Sequence, residues 1–187
     1  MKKGLLLSAL SGILLVLSNA GIGWFPLVWI AIVPLLIAVK GAEKIKSAFL
    51  FGYLSGSIHF LGTVYWIALL YPYANTGWFA SDVFVTIFLY LLLSLYLAIY
   101  PAFFSVVLKQ LNWSTSLIIF VSATVWTACE WIASWLMTGF PWGSLGYTQW
   151  KNLPIIQISS IFGVHGVSFV IVFSAIVFIV LVFSVVV

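Results

Sequence analysis

Long apolar runs, broken by short clusters of Lys, Gly, Pro, Asn and Ser, set the pattern of this chain. The runs predict six helices, at 4–19, 24–39, 48–70, 82–108, 116–137 and 155–187, the last opening with a short piece before Gly163 and Gly166. A helix that crosses a bilayer needs about 20 apolar residues, so the 187 residues hold roughly six or seven such helices joined by short loops. The fold expected is an all-α membrane protein, a polytopic bundle of about six transmembrane helices forming one domain over 1–187. No room is left for a soluble domain.

Composition removes the soluble alternative. Hydrophobic residues make up 65% of the chain and charged residues 5%, far from the range of soluble domains. The net charge of +4 comes from seven lysines and no arginine, too sparse to mark a nucleic-acid surface. With Cys129 the sole cysteine, an intrachain disulfide and a Cys-based metal site are excluded. Neither cofactor nor metal is implied.

The lysines also orient the bundle. Lys2 and Lys3, then Lys40, Lys44 and Lys46, then Lys109 fall at the N-terminus and in alternate loops, which the positive-inside rule puts in the cytoplasm. The loops near Gly21, over 71–81 and over 138–154 then face outward, with Lys151 the lysine among them. The N-terminal segment has a basic start, an apolar core and a small-residue end at Ser18, Asn19 and Ala20. It reads as a first helix, with a cleaved signal peptide as the rival reading. At the other end, Val187 closes an apolar run without a basic or aromatic anchor, as expected of a chain cut short or of a frayed terminus.

Few residues can carry chemistry. Glu130 lies in the fifth helix, expected about 10 Å below its outer end at 1.5 Å per residue, and an intramembrane carboxylate faces protein or water. Ser116, Thr127, Glu130 and Ser134 share one arc of that helix with Phe120 and Ala123. Interhelical hydrogen bonding and a lipid or substrate role both remain open for Glu130. On the third helix Gly52, Ser55, Gly56, His59, Gly62, Thr63 and Trp66 share a face, where small residues permit close packing. His59 there suits a hydrogen-bonded packing role better than a ligand or a proton relay. His165, beside Gly163 and Gly166, reads as part of an interfacial helix break. Asp82, after Ser81, reads as a helix cap. Cys129 is a poor nucleophile: Glu130, next to it in sequence, points another way on a helix, and a thiol in lipid stays protonated and inert.

Between the fifth and sixth helices lies TGFPWGSLGYTQW, at 138–150. Pro141 disfavours helix at Phe140 and the glycines permit tight turns, so the fifth helix is expected to end near Thr138 or Gly139. Phe140, Pro141, Trp142 and Tyr147, with Trp150, then lie at the outer interface. They form either an aromatic belt or a structured re-entrant loop.

The stretch EWIASWLMTGFPWGSLGYTQ, from Glu130 to Gln149, resembles the signature of bacterial apolipoprotein N-acyltransferases. The resemblance extends in family order to VWIAIVPLLIA from Val28 to Ala38, YWIALL from Tyr65 to Leu70 and GVHGVSFVIV from Gly163 to Val172. It favours an uncleaved first helix. It implies an inner-membrane enzyme with a cytoplasmic N-terminus, taking a phospholipid as acyl donor and the N-terminal diacylglyceryl-cysteine of a lipoprotein as acceptor. The family's chemistry belongs to a nitrilase-like domain with a Glu, Lys and Cys triad, for which these 187 residues offer no counterpart. No catalytic residue is therefore assigned, and Glu130 and Cys129 are not triad members. Many members carry an arginine three residues after the glutamate, where this chain has Ala133. Glu130 is then expected to find Ser, Thr or water as its partner.

This segment is expected to anchor the family's catalytic domain and to admit lipid. Two other readings stay open: a small transporter or channel using Glu130 and His59, and a standalone scaffold for a separate soluble partner. Purified alone, the 187-residue chain is expected to transfer no acyl group from phospholipid to a diacylglyceryl-cysteine peptide. Turnover that disappeared in Cys129→Ser would put the nucleophile inside the membrane instead.

Overall fold

The computed structural model describes residues 1–19, 21–74, 77–111, 113 and 117–186, which are helical with no strand among them. Prolines decide where the apolar runs break. The second run becomes a 3-10 turn, Phe25–Leu27, followed by α2 (Val28–Ala31) and α3 (Val33–Lys40), after α1 (Lys2–Ser18). Pro26 and Pro34 each sit in a first turn, where a missing N–H costs nothing. In the fourth run α5 (Phe79–Leu97) and α6 (Ile99–Gln110) part at Ala98. Pro101 cannot donate to the Leu97 carbonyl and its ring crowds that oxygen.

The third run stays α-helical as α4 (Ile45–Thr63) and then tightens into a 3-10 segment, Tyr65–Tyr73, bent from it by 43°. The fifth run gives α7 (Leu117–Ala133), shorter than the 116–137 expected; Ser116 lies outside the described residues. The sixth gives α8 (Leu153–Ile156) and α9 (Ser159–Val186), with a break inside α9 at Gly163 (φ 66°, ψ −173°); Val187 lies outside the described residues. Asp82 is not a cap. Helix α5 starts earlier, with Trp78 in the cap position, so Asp82 lies in its first turn, where a carboxylate still complements the helix dipole.

Phe79–Gln110 and Ser159–Val182 are long and apolar enough to cross a membrane, and the bent pair of α4 and its 3-10 extension is a third if taken as one span. Phe25–Lys40 and Leu117–Ala133 are shorter apolar helices. The outer surface is apolar too: Phe84, Phe88, Leu92 and Phe103 on α5 and α6 are each more than half exposed. Water would penalise such a face over its whole length, whereas lipid does not. The fold is an all-α membrane bundle.

Helix α4 is its centre, packed most extensively on α6 and α1. A Cβ added to Gly56 would lie 3.0 Å from Ala98 Cα, one at Gly52 would lie 2.7 Å from Ala102 Cα, and one at Gly12 would lie 2.7 Å from the Ser55 carbonyl oxygen. The small-residue face of α4 is therefore a close-packing face, as its spacing predicts. Leu15, Ile32, Leu35, Leu36, Phe104 and Ile118 fill the interior around it. Several buried hydroxyls are returned to the backbone: Ser105 and Ser122 bond carbonyls one turn back, and Ser11 donates to Ala31 O across the α1–α2 contact at 2.7 Å, whereas Ser55 Oγ on α4 has no partner among the described residues. These bonds satisfy the first three where lipid offers no partner.

Gly52→Leu is expected to destabilise the bundle by about 1–3 kcal/mol through overpacking, read as a lower midpoint of thermal unfolding in detergent. Gly41→Leu, whose Cβ would come no closer than 3.5 Å to a neighbouring atom, should leave that midpoint unchanged.

Candidate functional site

Where α7 ends, the chain leaves helical geometry at once. The Ala133 carbonyl accepts a hydrogen bond from Phe140 N at 2.7 Å, so 134–139 folds back on the helix end. Met137 (φ 51°, ψ 54°) takes left-handed backbone there. Gly139 (φ 78°) is needed because a Cβ would lie 2.8 Å from the Ser134 carbonyl carbon. Short 3-10 turns follow at Leu136–Thr138, Pro141–Gly143 and Leu145–Gln149. The α-helix thus stops at Ala133 and not near Thr138, and Glu130 lies in its last turn.

Irregular backbone inside a membrane protein persists only when its polar groups find protein partners. Here each comes from a different element. Glu130 Oε1 accepts from the Leu145 amide and from the Trp126 indole N–H, both at 2.8 Å. Ser168 Oγ on α9 accepts from the Gly146 amide at 2.9 Å. Gln149, fully buried, donates through Nε2 to Phe25 O at 3.1 Å and accepts from Asn152 Nδ2 at 3.0 Å. Gly146 lies so close to α9 that a Cβ would come within 2.7 Å of Val164 Cγ2. The segment 138–150 is an irregular loop clamped by hydrogen bonds to α7, α9 and Phe25 O.

His59 supports the same loop from α4. Asn19 Nδ2 donates to Thr63 Oγ1 at 3.2 Å, Thr63 Oγ1 lies 3.4 Å from His59 Nδ1, and His59 Nε2 lies 3.4 Å from Gly143 O. A carbonyl only accepts, so Nε2 carries the proton and Nδ1 accepts from the threonine hydroxyl. His59 is 2% exposed, which suits a packing role.

Glu130 has partners other than the Ser, Thr or water expected. Besides the indole and the loop amide, its Oε2 lies 3.8 Å from His165 Nδ1, with the glutamate side chain 10% exposed. Neither of those two atoms has a hydrogen-bond partner among the described residues. His165 is therefore no mere part of a helix break: the break is at Gly163, and it turns His165 toward α7. Trp126 was legible in sequence as the residue one turn before Glu130; the partnership with α9 was not. The arc of α7 that carries Glu130 faces α9, with Phe120 against Phe173 at 5.3 Å between ring centroids. Thr127 Oγ1 on that arc is buried without a partner among the described residues, while Ser134 Oγ bonds back to Trp131 O. Trp126, besides its bond to Glu130, packs against Phe104 at 4.9 Å between ring centroids, and Cys129 is buried. Cys129 lines a cavity of about 30 Å³ with Phe60, Tyr100, Glu130 and Phe140.

Beside the loop opens a cleft of about 560 Å³. Pro141, Trp142, Tyr147 and Trp150 form one wall, and Tyr65 and Trp66 from the end of the α4 span form another. Trp142 stacks edge-on with Trp66 at 6.1 Å and against Phe140 at 4.9 Å. Of the four aromatic and proline candidates, three line this cleft, while Phe140 lies between it and the small cavity. No charged residue is among those lining it, and the described residues hold no group of three His, Cys, Asp or Glu that could bind a metal ion. Aromatic rings dominate its walls beside the neutral polar side chains of Asn19, Thr63, Ser144 and Thr148, so the cleft offers no acid, base or cation.

An all-α membrane domain whose clamped irregular loop walls an uncharged aromatic cleft is the class that this geometry defines. Residues 11–177 match the model of the apolipoprotein N-acyltransferase N-terminal domain, and the chain belongs to that family. It is 37% identical over 171 residues to the apolipoprotein N-acyltransferase of Geobacter metallireducens, covering 91% of this chain and 32% of that protein. Apolipoprotein N-acyltransferase 1 of Treponema denticola is 34% identical, with 90% of this chain and 29% of that protein covered. The Haemophilus influenzae apolipoprotein N-acyltransferase is 31% identical, with 88% and 30% covered. The chain spans about a third of the length of these curated relatives.

Glu130→Ala strands the Leu145 amide and the Trp126 indole and is expected to cost about 1–3 kcal/mol, whereas Glu130→Gln keeps an acceptor oxygen and most of that stability. Limited chymotrypsin digestion, which reads exposure of the aromatic loop, should accelerate in the alanine variant alone.

Proposed function

We propose that this chain is the membrane-embedded portion of an apolipoprotein N-acyltransferase, which takes an acyl chain from a phospholipid and delivers it to the N-terminal diacylglyceryl-cysteine of a lipoprotein. Residues 1–187 form one transmembrane domain whose six helical runs each cross the bacterial inner membrane. Lys2, Lys3, Lys40, Lys44, Lys46 and Lys109 face the cytoplasm, together with the N-terminus, and the loop 138–150 lies at the outer surface. The chemistry is assigned to the two thirds of the relatives' length that this chain does not cover, and no residue here is catalytic.

The observation that carries this reading is the uncharged aromatic cleft of about 560 Å³ beside the loop. In this role Trp142, Pro141 and Tyr147 guide acyl chains at its mouth, and Phe140 packs behind Trp142. Glu130 and His59 hold the loop in shape without touching lipid. A transporter or channel using Glu130 and His59 is disfavoured, because it needs a continuous polar path. Leu15, Ile32, Leu35, Leu36, Phe104 and Ile118 occupy the interior of the described bundle instead.

In a full-length protein carrying this chain, Trp142→Ala should leave expression and insertion near normal while lowering acylation of a lipoprotein substrate about tenfold, a loss of ~1.4 kcal/mol in transition-state stabilisation. Unchanged acylation at equal protein level would reduce the loop to an interfacial belt. For orientation, cysteines at Glu43 and Tyr73, both exposed, should differ in intact cells: a membrane-impermeant thiol reagent labels position 73 and spares position 43. Equal labelling would remove the assigned topology.

A further inference from the structure

A second large cavity lies away from the loop, among α1, α3 and α4. It holds about 510 Å³ and is lined by Lys3, Leu7, Ile37, Lys40, Gly41 and Phe51, among others. Its size is close to that of the aromatic cleft, about 560 Å³, and its chemistry is opposite. The cleft has no charged residue in its lining, whereas two lysines and no acidic residue line this cavity.

We infer that this cavity is a binding site for an anionic glycerophospholipid, held by its phosphate between Lys3 and Lys40 with its upper acyl chain against Leu7, Ile37 and Phe51. The inference goes beyond the acyl-chain cleft proposed above, because this cavity is separate from it and lies at the opposite ends of α1 and α4. Three features support it. Lysine ammonium groups on flexible stems reach a phosphate as point charges, and basic pockets between helices at a membrane surface select anionic headgroups. Lys40 lines the cavity at the end of α3, and its ammonium also lies 6.0 Å from the centroid of the Trp113 ring. The apolar wall is built against bare backbone: a Cβ on Gly4 would lie 2.7 Å from Phe51 Cε2, so the phenyl ring packs directly on α1. Apolar walls below a cationic rim match a lipid and have no use for a small soluble anion. The leaflet is the cytoplasmic one if the orientation proposed above holds; the chemistry of recognition is the same in either.

Native mass spectrometry of the purified 187-residue chain in detergent tests this with three probes: phosphatidylglycerol, phosphatidylcholine and inorganic phosphate. Phosphatidylglycerol should be retained about tenfold more than phosphatidylcholine, given the attraction that each lysine adds near a membrane surface. Lys3→Gln with Lys40→Gln should abolish that preference, and Lys3→Arg with Lys40→Arg should keep it. Lys151→Gln, by the loop, should change nothing. Gly41 (φ −81°, ψ 1°) has room for a side chain, so Gly41→Phe should obstruct the cavity and lower retention without altering charge. Circular dichroism confirms that each variant is folded. Equal retention of the two lipids, a preference that survives in the double glutamine variant, or lysine-dependent binding of phosphate alone would each overturn the assignment.

Discussion

A carboxylate in the last turn of a membrane helix holds an irregular loop in place, and the rest of the site depends on it. Glu130 Oε1 takes the Leu145 amide and the Trp126 indole together. Without that acceptor the 3-10 backbone after Ser144 would keep an amide buried without a partner, a state that membrane proteins avoid. Gly146 then falls in line for Ser168, and Gln149 for Phe25 O. Trp142 is carried to the mouth of the cleft by this clamped backbone, since 58% of its own surface is exposed and its contacts are to Trp66 and Phe140. A polar cluster inside thereby shapes an apolar surface outside.

The same economy of charge separates the two cavities. With seven lysines and three acids in 187 residues, each charged side chain has a large effect on local potential. Glu130 serves the loop, Lys3 and Lys40 line the far cavity, and the aromatic cleft has none. The two cavities thus differ in charge, one lined by two lysines and the other by no charged residue. Close packing through Gly12, Gly52 and Gly56 keeps α1, α4 and α6 together between them.

Much of this was legible in the order of residues. The apolar runs give the helical rods, and the face of Gly52, Gly56 and His59 gives the packing seam, because both are local periodicities. The resemblance around TGFPW gives the family that residues 11–177 match. Helix ends were less legible. Asp82 looks like a cap after Ser81, yet α5 begins at Phe79 because apolar residues continue the helix outward. Similarly, α7 stops at Ala133 where the fold-back bond from Phe140 competes with another helical turn. Least legible were the partners of Glu130: Leu145 and His165 are brought to it by the loop and by α9, and no spacing along one helix encodes that. Ser168, one turn from His165, is a sequence hint of a polar face on α9.

The clamp itself is measured most directly by amide hydrogen exchange at Leu145 and Gly146, with the chain in bicelles. If Glu130 and Ser168 hold these two N–H groups, both exchange as slowly as the core of α4, and Glu130→Ala speeds exchange at Leu145 more than at Gly146. Exchange of Leu145 at the rate of an unprotected loop in the unmutated chain would contradict the clamp and the cleft wall that rests on it.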